Sequence, residues 1–252
     1  MGKLTPRDLE RCIGEQMVIY HERLTAALKE VTFEQLIEVN PYSFRLEQSG
    51  DIGRITLDSL NEFLRPVRDQ LLEDVLKEIA IFAAGQVFGG SRSSLPGMDV
   101  EFVNRGTHYA VAIELGPERA GSSGPRMPAQ EIRDAVVRSE NTLLPVQPTL
   151  GVCWGKTPAS YLPDGTLRVE GQKFWYLVSD DPYLHIDLVK PLRRQVLRNN
   201  EGFRLARDRA TMRLFMKFYE LFCGRSSTVK WGRLAQFTSG NYTPDEFPLQ
   251  RQ

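Results

Sequence analysis

Residues 97–123 read GMDVEFVNRGTHYAVAIELGPERAGSS, and the spacing of their acidic and apolar side chains predicts a β-hairpin. In a strand, residues i and i+2 share a face. Asp99 and Glu101 are therefore expected to point one way, and Val100 and Phe102 the other way into a core. Asn104-Arg105-Gly106 is the turn, where glycine gives the backbone the freedom such loops need. The second strand, His108 to Leu115, is nearly all apolar, which predicts a central strand buried on both faces. Glu114 near its end is the exception. A carboxylate at the end of a buried strand is costly unless it is paired, hydrogen-bonded or bound to a metal.

Helical patterns lie upstream of this hairpin. Thr5 or Asp8 can cap a first helix running to about Glu30, with Leu9, Ile13, Met17, Tyr20, Leu24 and Leu28 on one face. Thr32-Phe33-Glu34-Gln35 opens a short helix to Val39, which Asn40-Pro41-Tyr42 stops. A long helical pattern follows from Asp58 to about Phe88, with Pro66 expected to bend it or to start a new helix. Gly89 to Pro96 is a Gly/Ser loop leading into the hairpin.

Downstream, a loop over Gly116 to Pro128 leads to a helix over Ala129 to Leu143. Pro148 to Trp154 is apolar and β-rich, a third core strand. Gly155 to Gly171 is a turn-rich excursion, and Phe174 to Val178 is expected as a further short strand. Tyr183 to Leu192 fits a helix or a strand. Glu201 to Cys223 is an amphipathic helix, and a last helical turn spans Trp231 to Phe237. The order of elements predicts a layered α/β or α+β fold.

The 252 residues suit one large domain or a core with a helical annex, and 41% hydrophobic against 25% charged residues is ordinary globular composition. There is no signal peptide pattern and no apolar run of membrane-spanning length. Cys12, Cys153 and Cys223 have no CxxC spacing and the three histidines are dispersed. That disfavours a zinc site or a disulfide framework and suits a reducing cytoplasm. The net charge of zero conceals an asymmetry: residues 190–233 hold 12 Lys/Arg against Glu201, Asp208 and Glu220. Such a segment fits a phosphate-contacting face, and equally a solvated helix face that balances the acidic N-terminal region.

Asp99, Glu101 and Glu114 on adjoining strands would form an oxygen-ligand cluster of the kind that suits Mg²⁺. A metal there polarises a phosphodiester and lowers the pKa of an attacking water. The same residues also fit an exposed strand face. Gly89-Gly90-Ser91 lacks the lysine of a P-loop, and neither Ser122-Ser123 nor Cys153 has a histidine at a nucleophile-base spacing.

The run GMDVEF, a turn, HYAVAIELGP and GSS resembles the core of PmeII-type restriction endonucleases, in the PD-(D/E)XK nuclease superfamily. LLEDVLKEIAIFAA resembles the helix ahead of that family's active strands. GVCWGK, FWYLVSDDPYLHIDLVKPL and VKWGRLAQFTSGN resemble later segments, so the likeness spans roughly residues 36–241. The resemblance implies an α/β fold with a restriction-endonuclease-like mixed sheet flanked by helices. It implies a single nuclease-like domain: a helical N-terminal region (1–57), a catalytic core (58–190) and a basic helical C-terminal region (191–252). The implied activity is Mg²⁺-dependent hydrolysis of double-stranded DNA at a specific sequence, with Mn²⁺ able to substitute. The implied assembly is a homodimer, working beside a cognate DNA methyltransferase.

Mapped by position, Asp99 is the metal-binding aspartate of the superfamily motif. The second motif needs an acidic residue, any residue, then lysine. Here Ala112 stands at the acidic position and Glu114 at the lysine. A glutamate cannot act as a cation, so Glu101 and a helix glutamate, Glu78 or Glu73, are expected to complete a carboxylate site with Asp99 and Glu114. Expected DNA contacts are Arg119, Ser122 and Ser123 in the loop, and Lys190, Arg193, Arg194 and Arg198 in the basic segment. The alternative is a nuclease-fold DNA-binding protein with lost or reduced catalysis.

Overall fold

The computed structural model describes residues 2–37, 42, 51–117, 128–140, 144–198, 201–224, 228–240 and 247. It is mixed α/β: a six-stranded mixed sheet flanked by helices, as the resemblance implies. The chain forms two compact units, one of residues 1–20 and 71–198 and one of residues 21–70 and 199–252. Helices α1 (Pro6–Glu30) and α3 (Ile52–Phe88) each contribute residues to both.

The first unit holds the sheet, ordered β1 (Ser91–Arg92), β2 (Val100–Asn104), β3 (Thr107–Glu114), β4 (Val146–Val152), β6 (Leu167–Glu170), β5 (Ser160–Tyr161). β2 and β3 are an antiparallel hairpin with Val100 opposite Val111 and Glu101 opposite Ala110. Its turn carries Arg105 and Gly106 at φ 49° and 77°. The left-handed region explains the glycine. β3 pairs in parallel with β4 across a connection that contains α4 (Ala129–Glu140), so β3 has a strand on each side and is buried from Ala110 to Glu114. The apolar run read as a central strand is one.

Alternation sorts the side chains of the hairpin. Val100, Phe102, Val111 and Ile113 pack with Leu9, Ile13 and Met17 of α1 and Val75, Ile79 and Ala83 of α3. Ala110 and Ala112 face the other way, onto Ile132 and Val136 of α4, and Met98 joins them. Small residues at 110 and 112 let α4 approach the sheet closely.

Three local expectations change. Gln172–Ser179, expected to include a strand at 174–178, is helix α5, because Phe174, Trp175 and Val178 at helical spacing bury one face. Its β-branched and aromatic residues favour a strand by composition, but Gly171 at φ 53° turns the chain out of β6 at once. The excursion after residue 155 is not all turn, since it supplies β5 and β6. Of the two expectations for Pro66, a new helix is not formed, since α3 runs unbroken through it. Glu62, whose carbonyl loses its i+4 donor to the proline ring, is exposed, so water can donate to it instead. After α5 come α6 (Leu184–Asp187) and α7 (Val189–Arg198), so the segment 183–192 is helical.

The second unit is helical, with α2 (Phe33–Ile37), α8 (Glu201–Phe222) and α9 (Trp231–Thr238). Thr32 and Gln35 form a reciprocal capping box at the start of α2. Phe33 stacks on Phe222 with ring centroids 6.2 Å apart, and Phe222 also meets Phe237 and Phe247.

Candidate functional site

The carboxylate of Asp99 lies where β2 begins. Its Oδ2 accepts a 2.6 Å hydrogen bond from the Ile113 N–H, so it sits against β3 immediately before Glu114. Its Oδ1 is 3.4 Å from Lys77 Nζ on α3. The same ammonium is 3.1 Å from Oε1 of Glu73, one helical turn earlier. Asp99 and Glu73 therefore share one cation, with Lys77 only 22% exposed and Glu73 nearly buried. Burial works against the charge on Lys77, but the attraction of Asp99 and Glu73 outweighs it and raises its pKa above the ordinary lysine value.

Glu114 is buried at the C-terminal end of β3, opposite Val152 of β4, and its carbonyl accepts from the Cys153 N–H at 2.9 Å. It follows Ile113 in β3, and alternation turns its side chain to the face of Ala110 and Ala112, away from the face that meets α3. Gly116, just beyond, abuts the Trp154 indole so closely that a Cβ there would meet it at 2.5 Å.

Glu101 does not join this group. Its carboxylate accepts from Ser93 Oγ at 2.5 Å and pairs with Nε2 of the buried His108 at 3.1 Å. The bond to His108 outweighs partial burial and holds the Glu101 pKa below the usual carboxylate range. The expectation that Asp99 and Glu101 share a face fails because regular pleating starts only at Val100. Met98 already packs with Ala110 and Ala112, so alternation does not extend back through Asp99. Among the described residues no three His, Cys, Asp or Glu side chains are grouped to hold a metal ion, and the expected three-carboxylate cluster is not formed.

Of the two helix glutamates, Glu73 faces Asp99 across Lys77, whereas Glu78 pairs with Arg92 at the edge of the sheet. Glu78 is thus corrected to a surface ion pair. Lys77 was not singled out by the sequence. The signal was present: Glu73, Lys77, Ala80 and Ala84 fall on one helical stripe whose other members are buried.

The basic segment divides. Arg194 is bonded to Glu10 of α1 at 2.5 Å, a structural tie. Arg213 donates to the carbonyls of Leu28 and Val31, closing the C-terminal end of α1. Lys190, Arg193 and Arg198 are exposed on α7. Arg119, Ser122 and Ser123 lie outside the described residues. Cys153 is buried and its thiol pKa is driven well up by burial, which leaves it inert as a nucleophile. No described helix is long and apolar enough to cross a membrane.

A family model described as type II restriction endonuclease EcoO109I matches residues 7–200. The match names EcoO109I and not the PmeII type, so it speaks for the broader class of type II restriction endonucleases. No curated protein matches the chain. The matched span covers β2, β3 and the helix that carries Glu73 and Lys77. By that match the chain belongs to the type II restriction endonuclease EcoO109I family.

Proposed function

We propose that this protein is a Mg²⁺-dependent, sequence-specific endonuclease of double-stranded DNA, with its site at the Asp99 end of the β2–β3 hairpin. The observation that carries the reading is the convergence of Asp99 and Glu73 on one cation where β2 begins. Mg²⁺ asks for one or two protein carboxylates and takes its other ligands from water and phosphate, so this sparse acidic set fits it better than it fits Ca²⁺. Asp99 and Glu73 would hold the ion. When bound, the ion supplies Lewis acidity toward the phosphodiester and an acidified water.

The residues of the chain do the rest. The Ile113 N–H fixes the Asp99 carboxylate so that one oxygen is committed to the sheet and the other is turned to α3. The second unit and α7 offer basic side chains for phosphates, among them the exposed Lys190, Arg193 and Arg198 of α7. A homodimer acting in the cytoplasm beside a DNA methyltransferase, and the finer kinship with PmeII-type enzymes, belong to the same reading. The test is a plasmid digest with purified protein in Mg²⁺, Mn²⁺ or EDTA, followed by sequencing of the ends. Discrete fragments with one recurrent end sequence are expected with either metal and none in EDTA.

Glu114 at the position of the motif lysine favours a second reading, a nuclease fold that binds DNA without cutting it. It would give salt-sensitive DNA binding and intact plasmid with every divalent metal.

A further inference from the structure

We infer that Lys77 on α3 is the working cation of this site, supplying from the helix the positive charge that strand β3 lacks at Glu114. The inference rests on the endonuclease reading above. Phosphodiester hydrolysis builds negative charge on the phosphate, and a positioned cation in a partly buried site stabilises it strongly. A strand with glutamate at that position cannot provide one. Lys77 Nζ is 3.4 Å from Asp99 Oδ1 and 3.1 Å from Glu73 Oε1, so it stands within the acidic group.

Its placement is unlike that of a surface counter-ion. Lysine is among the least often buried residues, and fixing its four-carbon stem costs rotamer entropy. Here the side chain is 22% exposed and held at two points, against 59% exposure for Arg92 beside Glu78. The charges of Asp99 and Glu73 exceed that of Lys77 by one, so the group keeps a net negative charge for a divalent ion while presenting an ammonium. The competing account is that Lys77 merely holds the two carboxylates in place.

The two accounts separate in the dependence of rate on metal. Lys77→Met keeps the stem and removes the charge. Single-turnover cleavage should fall about 100-fold at saturating Mg²⁺. The Mg²⁺ concentration for half-maximal rate should be no higher than in the wild type, and Ca²⁺-supported DNA binding should be retained. Lys77→Arg should recover at least about tenfold over Lys77→Met, as a cation is restored. A maximal rate within about threefold of wild type overturns the inference, as does a loss that extra Mg²⁺ restores or a tenfold weakening of Ca²⁺-supported DNA binding. If Lys77→Met fails to fold, Lys77→Gln carries the same comparison. A wild type inactive in Mg²⁺ and Mn²⁺ defeats the endonuclease reading and this inference with it. An active wild type with an active Lys77→Met defeats this inference alone.

Discussion

The Ile113 N–H donates to Asp99 Oδ2 at 2.6 Å, joining the first residue of the acidic hairpin to the backbone of the central strand. The bond fixes the carboxylate where β2 begins, beside the C-terminal end of β3. An aspartate held this way has one oxygen left to face a ligand, and that oxygen is turned to Lys77.

Replacing Asp99 by Asn keeps a carbonyl oxygen for the Ile113 N–H and removes the charge. Divalent-dependent cleavage is expected to fall by roughly 1,000-fold or more, since several kcal/mol of metal-assisted stabilisation is lost. DNA binding in EDTA should stay within a few fold, because no phosphate contact is removed. Cleavage rates and fluorescence anisotropy on the same variant check both halves.

Glu101→Gln separates the structural carboxylate from the site. Cleavage should persist near the wild-type rate, while stability at pH 7 falls by about 1–3 kcal/mol through loss of charged hydrogen bonds to Ser93 and His108. The pH dependence follows from the sign of the shift. The folded pKa of Glu101 is depressed, so its stabilisation is present above the unfolded carboxylate pKa and is lost as pH falls through the folded value. Urea unfolding between pH 7 and pH 3 should therefore be steeper in pH for the wild type than for Glu101→Gln.

Gly151 in β4 faces the Phe174 ring, where an added Cβ would lie 2.4 Å away. Phe174 is fully buried and cannot swing aside. Gly151→Ala is expected to cost about 1–3 kcal/mol of overpacking, seen as a fall of several degrees in Tm by calorimetry.

The basic helix α7 predicts unequal roles for neighbouring arginines. Alanine at Arg193 or Arg198 should each lower the slope of log affinity against log salt by about one, the mark of a lost phosphate contact. Arg194→Ala should leave that slope unchanged and instead reduce stability modestly, because Arg194 is already engaged by Glu10. Binding isotherms from low to moderate salt distinguish the two.

Much of this was legible from the chain alone. The apolar run of β3, the Gly106 turn, the helical stripes of α1 and α8 and the capping box at Thr32 are local patterns, and backbone sterics with burial turn them into structure directly. The resemblance of the hairpin and its neighbouring segments to restriction endonucleases likewise agrees with the class that the family match supports. What the chain by itself did not determine is which side chains meet. Pleating alone pairs Asp99 with Glu101, yet regular pleating holds only from Val100, so it sets Glu101 beside His108 while Asp99 before it faces α3. Lys77 lies 22 residues before Asp99, and their contact depends on how α3 is rotated against the sheet. That rotation is set by the joint packing of Val75, Ile79 and Ala83 with Val100 and Val111, a collective fit that no local periodicity encodes. The acidic end of the hairpin is a property of the sequence, and the cation inside it is a property of the tertiary structure.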